Sequence, residues 1–572
     1  MKKIKKSHFS FIIQIIFFIS IFNSIYAKNF EKNYDANSFS NYFSGILSLN
    51  EKKYENSYKY LKTLKGLEKK HFRFSTAYQE SLISLDRFDE AFSYAKKLEK
   101  QKIDAYETNL IIGVYYLKNN KFELAKKYFK KYNKLNAGVF SEYLNNWLLF
   151  PEISIQDAIK ITRNTSKKFN LKSGNQLEKI QNVFIHCYFD SPNTENIFKN
   201  MIINDNEDYS RYYFFHSNYY FIKNDILKAK KIINSALKLH PEKVILNQMH
   251  EELKSKNKTK LSNQFNCENL SNVVAEIFYI ISNILSSQQS YSNSNLYLNL
   301  ATYLNPNFIS YDALKAENFF ETKNYKKAKK IYQYVKSKEY AYGWYASKII
   351  ASIQDIQNKK SNSLKFLQNE FKEMRNPNVY QTLDYANFLK KKKKYKEAIS
   401  YYSTILDLIS KKDKLYAEVT QGRGEAFERL GEWEKAEKDL LSSLESSPDQ
   451  AYVINYLAYT WIEKGINLDK SLEMLKMANQ LKENDGYIID SLGWAFFKLK
   501  RYNEAKDYLQ LAVSIIPSDP VINDHYGDSL WMNNQSLQAR YYWKYVLNLE
   551  KTEPELKELI KKKLTNGLKF DS

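Results

Sequence analysis

The stretch "SLGWAFFKLKRYNEAKDYLQLAVSIIP" (residues 491–517) sets Gly493, Ala505 and Pro517 at intervals of twelve inside a run of aromatic and aliphatic side chains. The stretch "HYGDSLWMNNQSLQARYYWKYV" (525–546) repeats the first two as Gly527 and Ala539, each 34 residues later. Small residues that return at a fixed interval among large ones mark places where two backbones come close. Pieces similar to "RYNEAKDYL" recur upstream. They include "KYENSYKYL" (Ser57), "RFDEAFSYA" (Ala91), "KFELAKKYF" (Ala125), "DILKAKKII" (Ala229) and "SYSNSNLYL" (Ser294). "NYKKAKKIY" (Ala328), "KYKEAISYY" (Ala398), "EWEKAEKDL" (Ala436) and "NLDKSLEML" (Ser471) continue the series, and "QSLQARYYW" (Ala539) closes it. Ser57, Ala91 and Ala125 are spaced by 34, as are Ser294 and Ala328, and Ser471, Ala505 and Ala539.

A period of 34 with this pattern resembles the tetratricopeptide repeat (TPR), a helix–turn–helix unit. The resemblance implies a small residue on the first helix, small residues on the second, and a Pro beyond it. Gly493, Phe496, Ala505, Ala512 and Pro517 fill those places in one unit, and Gly424, Phe427, Ala436 and Pro448 in another. Gly113, Tyr116 and Ala125 match upstream. One unit cannot cover its own apolar faces, so stacked units share a continuous core. The expected fold is all-α, a right-handed α-solenoid of about 15 TPR-like units on the 34-residue period. Gly493 is expected to meet Ala505 directly. Only 14 Gly and 9 Pro occur in 572 residues, which argues against a protein of many β-hairpins.

The expected organisation is a signal peptide over 1–27, TPR units over 28–139, degenerate helical repeats over 140–205, further units over 206–400 and 401–550, and a capping helix over 551–572. The leader has four Lys before an apolar run starting at Phe9, then Ala27 before a polar segment. That is the order of a Sec-type secretory signal, so a periplasmic or secreted protein of a Gram-negative bacterium is expected, with no integral span after cleavage. Cys187 and Cys267, 80 residues apart, read as lone packed thiols rather than a bonded pair.

The net charge is +23. The excess is mostly Lys, spread along the chain and inflated together with Asn, Ile, Tyr and Phe, all residues with A/T-rich codons. No basic patch forms, and no nucleic-acid partner is expected. No H-E-x-x-H or phosphate loop appears, and "GRGEAFERLGEW" lacks the Lys-Ser/Thr that a phosphate loop requires. His216, at an inward repeat position, reads as a packed histidine. No catalytic residue, metal site or cofactor is expected, and the chain reads as a non-enzyme.

Binding is the better candidate. TPR arrays line a concave groove mainly with their first helices. Carried onto the last units, those positions are Glu425, Tyr452, Asn455, Tyr459 and Asp490, followed by Trp494, Asp524, Asp528 and Trp531. The set is acidic and aromatic and predicts a protein or peptide partner with a basic or aromatic segment. The block from "NYLAYTWIEKG" to "VINDHYGDSLW" also resembles exported TPR proteins of Gram-negative bacteria, some of which are adaptors for processing proteases. The resemblance implies a scaffold or adaptor in cell-envelope assembly or proteolysis, or else a part of polysaccharide or lipoprotein export machinery.

Overall fold

The computed structural model describes residues 36–568, apart from 65, 69–70, 173, 204–207, 255–262, 339, 358–359 and 375. The signal peptide expected over 1–27 lies outside the described residues. Within them every regular element is helical, with thirty α-helices and one short 3-10 turn. The chain divides into two compact units, 1–359 and 360–572, a break that falls inside the block read from sequence as 206–400.

The first unit holds α1 (Ala36–Asn50), α2 (Tyr54–Lys62), α3 (Phe72–Ser84), α4 (Phe88–Lys100), α5 (Tyr106–Lys118), α6 (Phe122–Leu135), α7 (Val139–Trp147), α8 (Ile155–Lys168) and α9 (Gln176–Tyr188). It continues with α10 (Thr194–Ile203), α11 (Ser210–Ile222), α12 (Ile226–Leu239), α13 (Val244–Lys254), α14 (Leu270–Ser287), α15 (Tyr291–Leu304), α16 (Ser310–Glu321), α17 (Tyr325–Lys338) and α18 (Tyr340–Ile356). The second unit holds α19 (Lys360–Glu373), α20 (Val379–Lys391), α21 (Tyr395–Leu408), α22 (Tyr416–Glu428), α23 (Trp433–Ser446) and α24 (Ala451–Lys464). It ends with α25 (Leu468–Leu481), α26 (Gly486–Lys498), α27 (Tyr502–Ile515), α28 (Pro520–Met532), α29 (Ser536–Asn548) and α30 (Pro554–Asn566).

Sequence dictates the turn inside each pair in an unexpected way. The middle turn residue is left-handed in pair after pair: Lys52, Asp86, Asn120, Asn224, Gln289, Lys323, Lys393, Lys500 and Asn534 all have φ between 56° and 63°. Gly431 and Gly465 are the two glycines in this register among the described turns. The left-handed conformation costs a residue with a Cβ roughly 1–2 kcal/mol. What offsets it is capping of the first helix. The N–H after the left-handed residue donates back to the helix, as in Lys121 to Tyr116 O, Lys394 to Leu389 O, Arg501 to Phe496 O and Gln535 to Leu530 O, each 2.9 Å. So an array of turns is built with very little glycine.

Glycine is kept for close approach. Five first-helix glycines each face a large side chain sixteen residues later: Gly45 and Leu61, Gly113 and Phe129, Gly424 and Leu440, Gly493 and Leu509, Gly527 and Trp543. A Cβ on Gly493 would lie 2.7 Å from Leu509 Cγ, and one on Gly527 would lie 2.5 Å from Trp543 Nε1. In the equivalent pair a Cβ on Gly424 would meet both Ala436 O and Leu440 Cγ at 3.1 Å, so the close approach expected of the two small residues is shared with a bulky one. Ala505 is fully buried, but the space above Gly493 is taken by Leu509, one helical turn further on. Gly527→Ala forces the indole aside, and the indole also donates to Asp528 at 2.9 Å. We expect a loss of about 1–3 kcal/mol, read as a lower urea midpoint. Gly113→Ala, with its Cβ 3.1 Å from the Phe129 ring, should cost less.

The first unit folds back on itself. Asn299 Nδ2 donates to Ile83 O at 3.0 Å, Lys118 Nζ to Leu304 O at 3.1 Å, and Phe88 stacks on Tyr303 with centroids 4.0 Å apart. These contacts lay α15 against α3–α5, and Ser271 Oγ of α14 donates to Leu117 O of α5 at 3.3 Å. Helix α14 is long and apolar enough to pass as a membrane span, but most of it is buried inside the unit. Its Glu276 is fully buried and takes both Nε and Nη2 of Arg211, at 2.7 and 2.9 Å.

Cys187 and Cys267 form a disulfide, with Cα atoms 5.9 Å apart, where lone thiols were expected. The physical reason is Phe265. It wedges against Phe184 and Phe215, with centroids 5.7 and 4.6 Å away, and so carries the segment before α14 across α9.

Candidate functional site

The candidate face of the second unit is built by α22, α24, α26 and α28, the first helices of successive pairs. Helix α30 starts 34 residues after α28 and takes the place of a further first helix. Its Lys563 projects onto α28. Lys563 Nζ lies 2.7 Å from Asp524 Oδ1, and 2.8 and 2.7 Å from the two oxygens of Asp528. All three side chains are buried. Burial and the neighbouring Asp524 carboxylate push the Asp528 carboxyl up, with Lys563 pulling against them. Burial works against the Lys563 ammonium, but the two carboxylates outweigh it and hold it above the usual value.

The same logic joins α28 to α26. His525 Nδ1 lies 3.0 Å from both oxygens of Asp490, and Trp494 stacks on the imidazole with centroids 3.9 Å apart. Trp494 Nε1 donates to Glu463 of α24 at 2.5 Å. Tyr459 stands among Glu463, Asp490 and Asp524. Burial and then these charges push its hydroxyl up. Trp531 is covered by the segment at Gly567 and lies 5.4 Å from the Trp543 ring. The structure thus brings Tyr459, Asp490, Trp494, Asp524 and Asp528 into one satisfied cluster, with Trp531 at its margin.

The other positions lie apart from that cluster. Glu425 is held by Lys390 and by Gln421 Nε2 at 2.8 Å. Tyr452 is half exposed, with its hydroxyl 2.9 Å from Asp485 Oδ2 and 3.0 Å from Lys482 Nζ. Asn455, on the same face of α24, has a buried Oδ1 without a hydrogen-bond partner among the described residues. The residues the sequence reading missed are His525 and Lys563. His525 carried a signal, since it lies between Asp524 and Asp528 in "NDHYGD". Lys563 carried none, being one Lys among many in "KELIKKKL". Among the described residues no cluster of three or more His, Cys, Asp or Glu has the arrangement of a metal site.

Burial disfavours the charged His525 imidazole. The Asp490 carboxylate, with Asp524 and Asp528, outweighs that and raises it above the ordinary value. A raised imidazole contributes stability that is complete below the unfolded value of about 6.5. The contribution is lost as pH climbs through the folded value. The melting midpoint of the second unit should therefore fall across that window, and His525→Gln should flatten the fall. An unchanged slope in the variant would assign the pH dependence to Asp528, whose raised carboxyl carries the same sign.

A family model described as a tetratricopeptide repeat matches residues 106–138 and 489–519. TPR repeat-containing protein PA4667 of Pseudomonas aeruginosa is 29% identical over 101 residues, 18% of this chain. The match spans 17% of the length of that curated relative. Among solved structures, MamA of Desulfovibrio magneticus RS-1 is 16% identical, covers 31% of this chain and 97% of its own, and has a TM-score of 0.27. YrrB, titled a TPR protein with an unusual peptide-binding site, is 16% identical over 32% of this chain and 92% of its own, with a TM-score of 0.26. The matched repeats fall one in each unit, on the helix pairs that carry Gly113 with Phe129 and Gly493 with Leu509. The 34-residue pitch, the paired helices and these two matches identify tetratricopeptide repeats in both units of the chain.

Proposed function

We propose that the protein is an extracytoplasmic scaffold or adaptor of the cell envelope, and that it holds a partner segment on the open part of the second unit's first-helix face. One observation carries the reading. Tyr452, Tyr487 and Val521 are each the second residue of their helices, α24, α26 and α28, and are 51%, 56% and 46% exposed. A row of exposed side chains at equivalent places suits an extended segment. The deep acidic cluster is already matched by His525 and Lys563, so partner contact belongs to this outer row. The partner is expected to bring apolar side chains. A role in envelope assembly or proteolysis is supported by the resemblance of the C-terminal block to exported TPR proteins.

The extracytoplasmic reading is supported by the leader at 1–27 and by the Cys187–Cys267 disulfide, since such bonds persist in oxidising compartments. Two measurements test the proposal. A photo-crosslinking residue placed at 452 or 487 in cells should trap a discrete protein that one placed at exposed Leu227 in the first unit does not. Identical products at all three positions would overturn the partner site. Thiol alkylation of the protein from intact cells should label Cys187 and Cys267 only after reduction. Labelling without reductant would overturn the compartment.

A further inference from the structure

A cleft of about 610 Å³ opens in the first unit between α10, α11 and α12, far in sequence from the second unit's face. Its walls are largely apolar, with Ile202, Tyr213, Leu227, Ile232 and Leu239. Its volume falls within the roughly 300–1,000 Å³ of small-molecule sites. His216 of α11 lines it. This side chain is 3% exposed, lies flat against Phe198 with centroids 4.7 Å apart, and has an Nε2 with no hydrogen-bond partner among the described residues. A buried polar atom without a hydrogen bond is destabilising, so the orphaned nitrogen at an apolar cleft marks a place for a polar group from outside. Burial lowers the imidazole to about 4, so it stands neutral and can offer Nε2–H.

The charges around the cleft give the sign of that group. Both acids on its wall are engaged. Glu195 takes Lys199 at 2.7 Å and Lys228 at 2.6 Å, and Asp225 caps the start of α12 by accepting from Lys228 N at 3.0 Å. Lys231 enters no ion pair among the described residues and completes a net positive rim. We infer that this cleft binds a small apolar carboxylate, with the apolar body on Leu227, Ile232 and Leu239 and the carboxylate between His216 Nε2 and Lys231. The site is independent of the proposed partner segment.

The test uses the full chain and decanoate as probe. Calorimetry should show one site per chain, with decanol and decyltrimethylammonium at least tenfold weaker. Ser235→Trp, an exposed position on the cleft wall, should fill the space and abolish binding without disturbing the core. Lys231→Ala should weaken decanoate severalfold and leave decanol unchanged. In protein with nitrogen-15-labelled histidine, the Nε2 resonance of His216 should move on adding decanoate. Decanoate binding that survives Ser235→Trp, equal affinity for decanol, or an unmoved Nε2 resonance would overturn the inference.

Discussion

Replacing Lys563 by Met is expected to destabilise the second unit by about 3–5 kcal/mol, the cost of stripping one partner from a buried ion pair. The size follows from the surroundings. Lys563 makes three contacts of 2.7–2.8 Å with two buried carboxylates, and water cannot replace it there. Without the ammonium, Asp524 and Asp528 repel each other and take up protons more readily. The deficit should therefore shrink as pH is lowered, because a carboxyl raised in the folded state favours folding once protonated. Adding Asp524→Asn and Asp528→Asn to the Lys563→Met chain should restore part of the loss, which a merely lost packing contact would not allow. Denaturant unfolding followed by tryptophan emission reads the change, since Trp543 donates directly to Asp528. A loss below about 1 kcal/mol, the ordinary value of a surface pair, would show that the cluster is hydrated.

Arg211→Met should damage the first unit comparably, by about 3–5 kcal/mol. The guanidinium is bidentate on Glu276 and lies over the Tyr279 ring at 3.9 Å from its centroid, with Phe308 at 4.9 Å. Tyr311 adds a hydrogen bond to Glu276 at 3.3 Å. Burial pushes the Glu276 carboxyl up and only Arg211 opposes it strongly, so removing Arg211 strands a charge in the core. The double replacement Arg211→Met with Glu276→Leu should recover most of the loss, because buried pairs exchanged for apolar residues of similar volume are often neutral. Thermal unfolding of the three chains decides it. A double variant as unstable as Arg211→Met alone would mean that the ring contacts of Arg211, not its charge, hold α11 to α14.

The repeat was legible because its small residues are single letters at a constant spacing. The bulky residues that also face the glycines were not legible, because the facing position holds Leu61, Phe129, Leu440, Leu509 or Trp543, which share bulk rather than identity. The closure of the first unit had no sequence signature. Its contacts join residues such as Ile83 and Asn299, 216 positions apart, and follow no period. The disulfide was missed for the same reason, since Cys267 reaches Cys187 by the detour of the chain before α14. In the second unit the acidic and aromatic list was visible, but the cations that neutralise it were not. Lys563 sits in a segment that reads as solvated, and only the stacking of α30 on α28 buries it.

The left-handed turns bear on how such proteins arise. Lysine and asparagine are encoded by A and T at nearly every base, whereas glycine needs two G bases. A coding sequence drifting toward A and T would be expected to lose its turns if they depended on glycine. Here the first helix's own carbonyls are capped across the bend, so lysine and asparagine serve there in place of glycine. Base composition can then change almost freely without unravelling the array, and profiles that reward glycine at the bend will undercount repeats in such genomes.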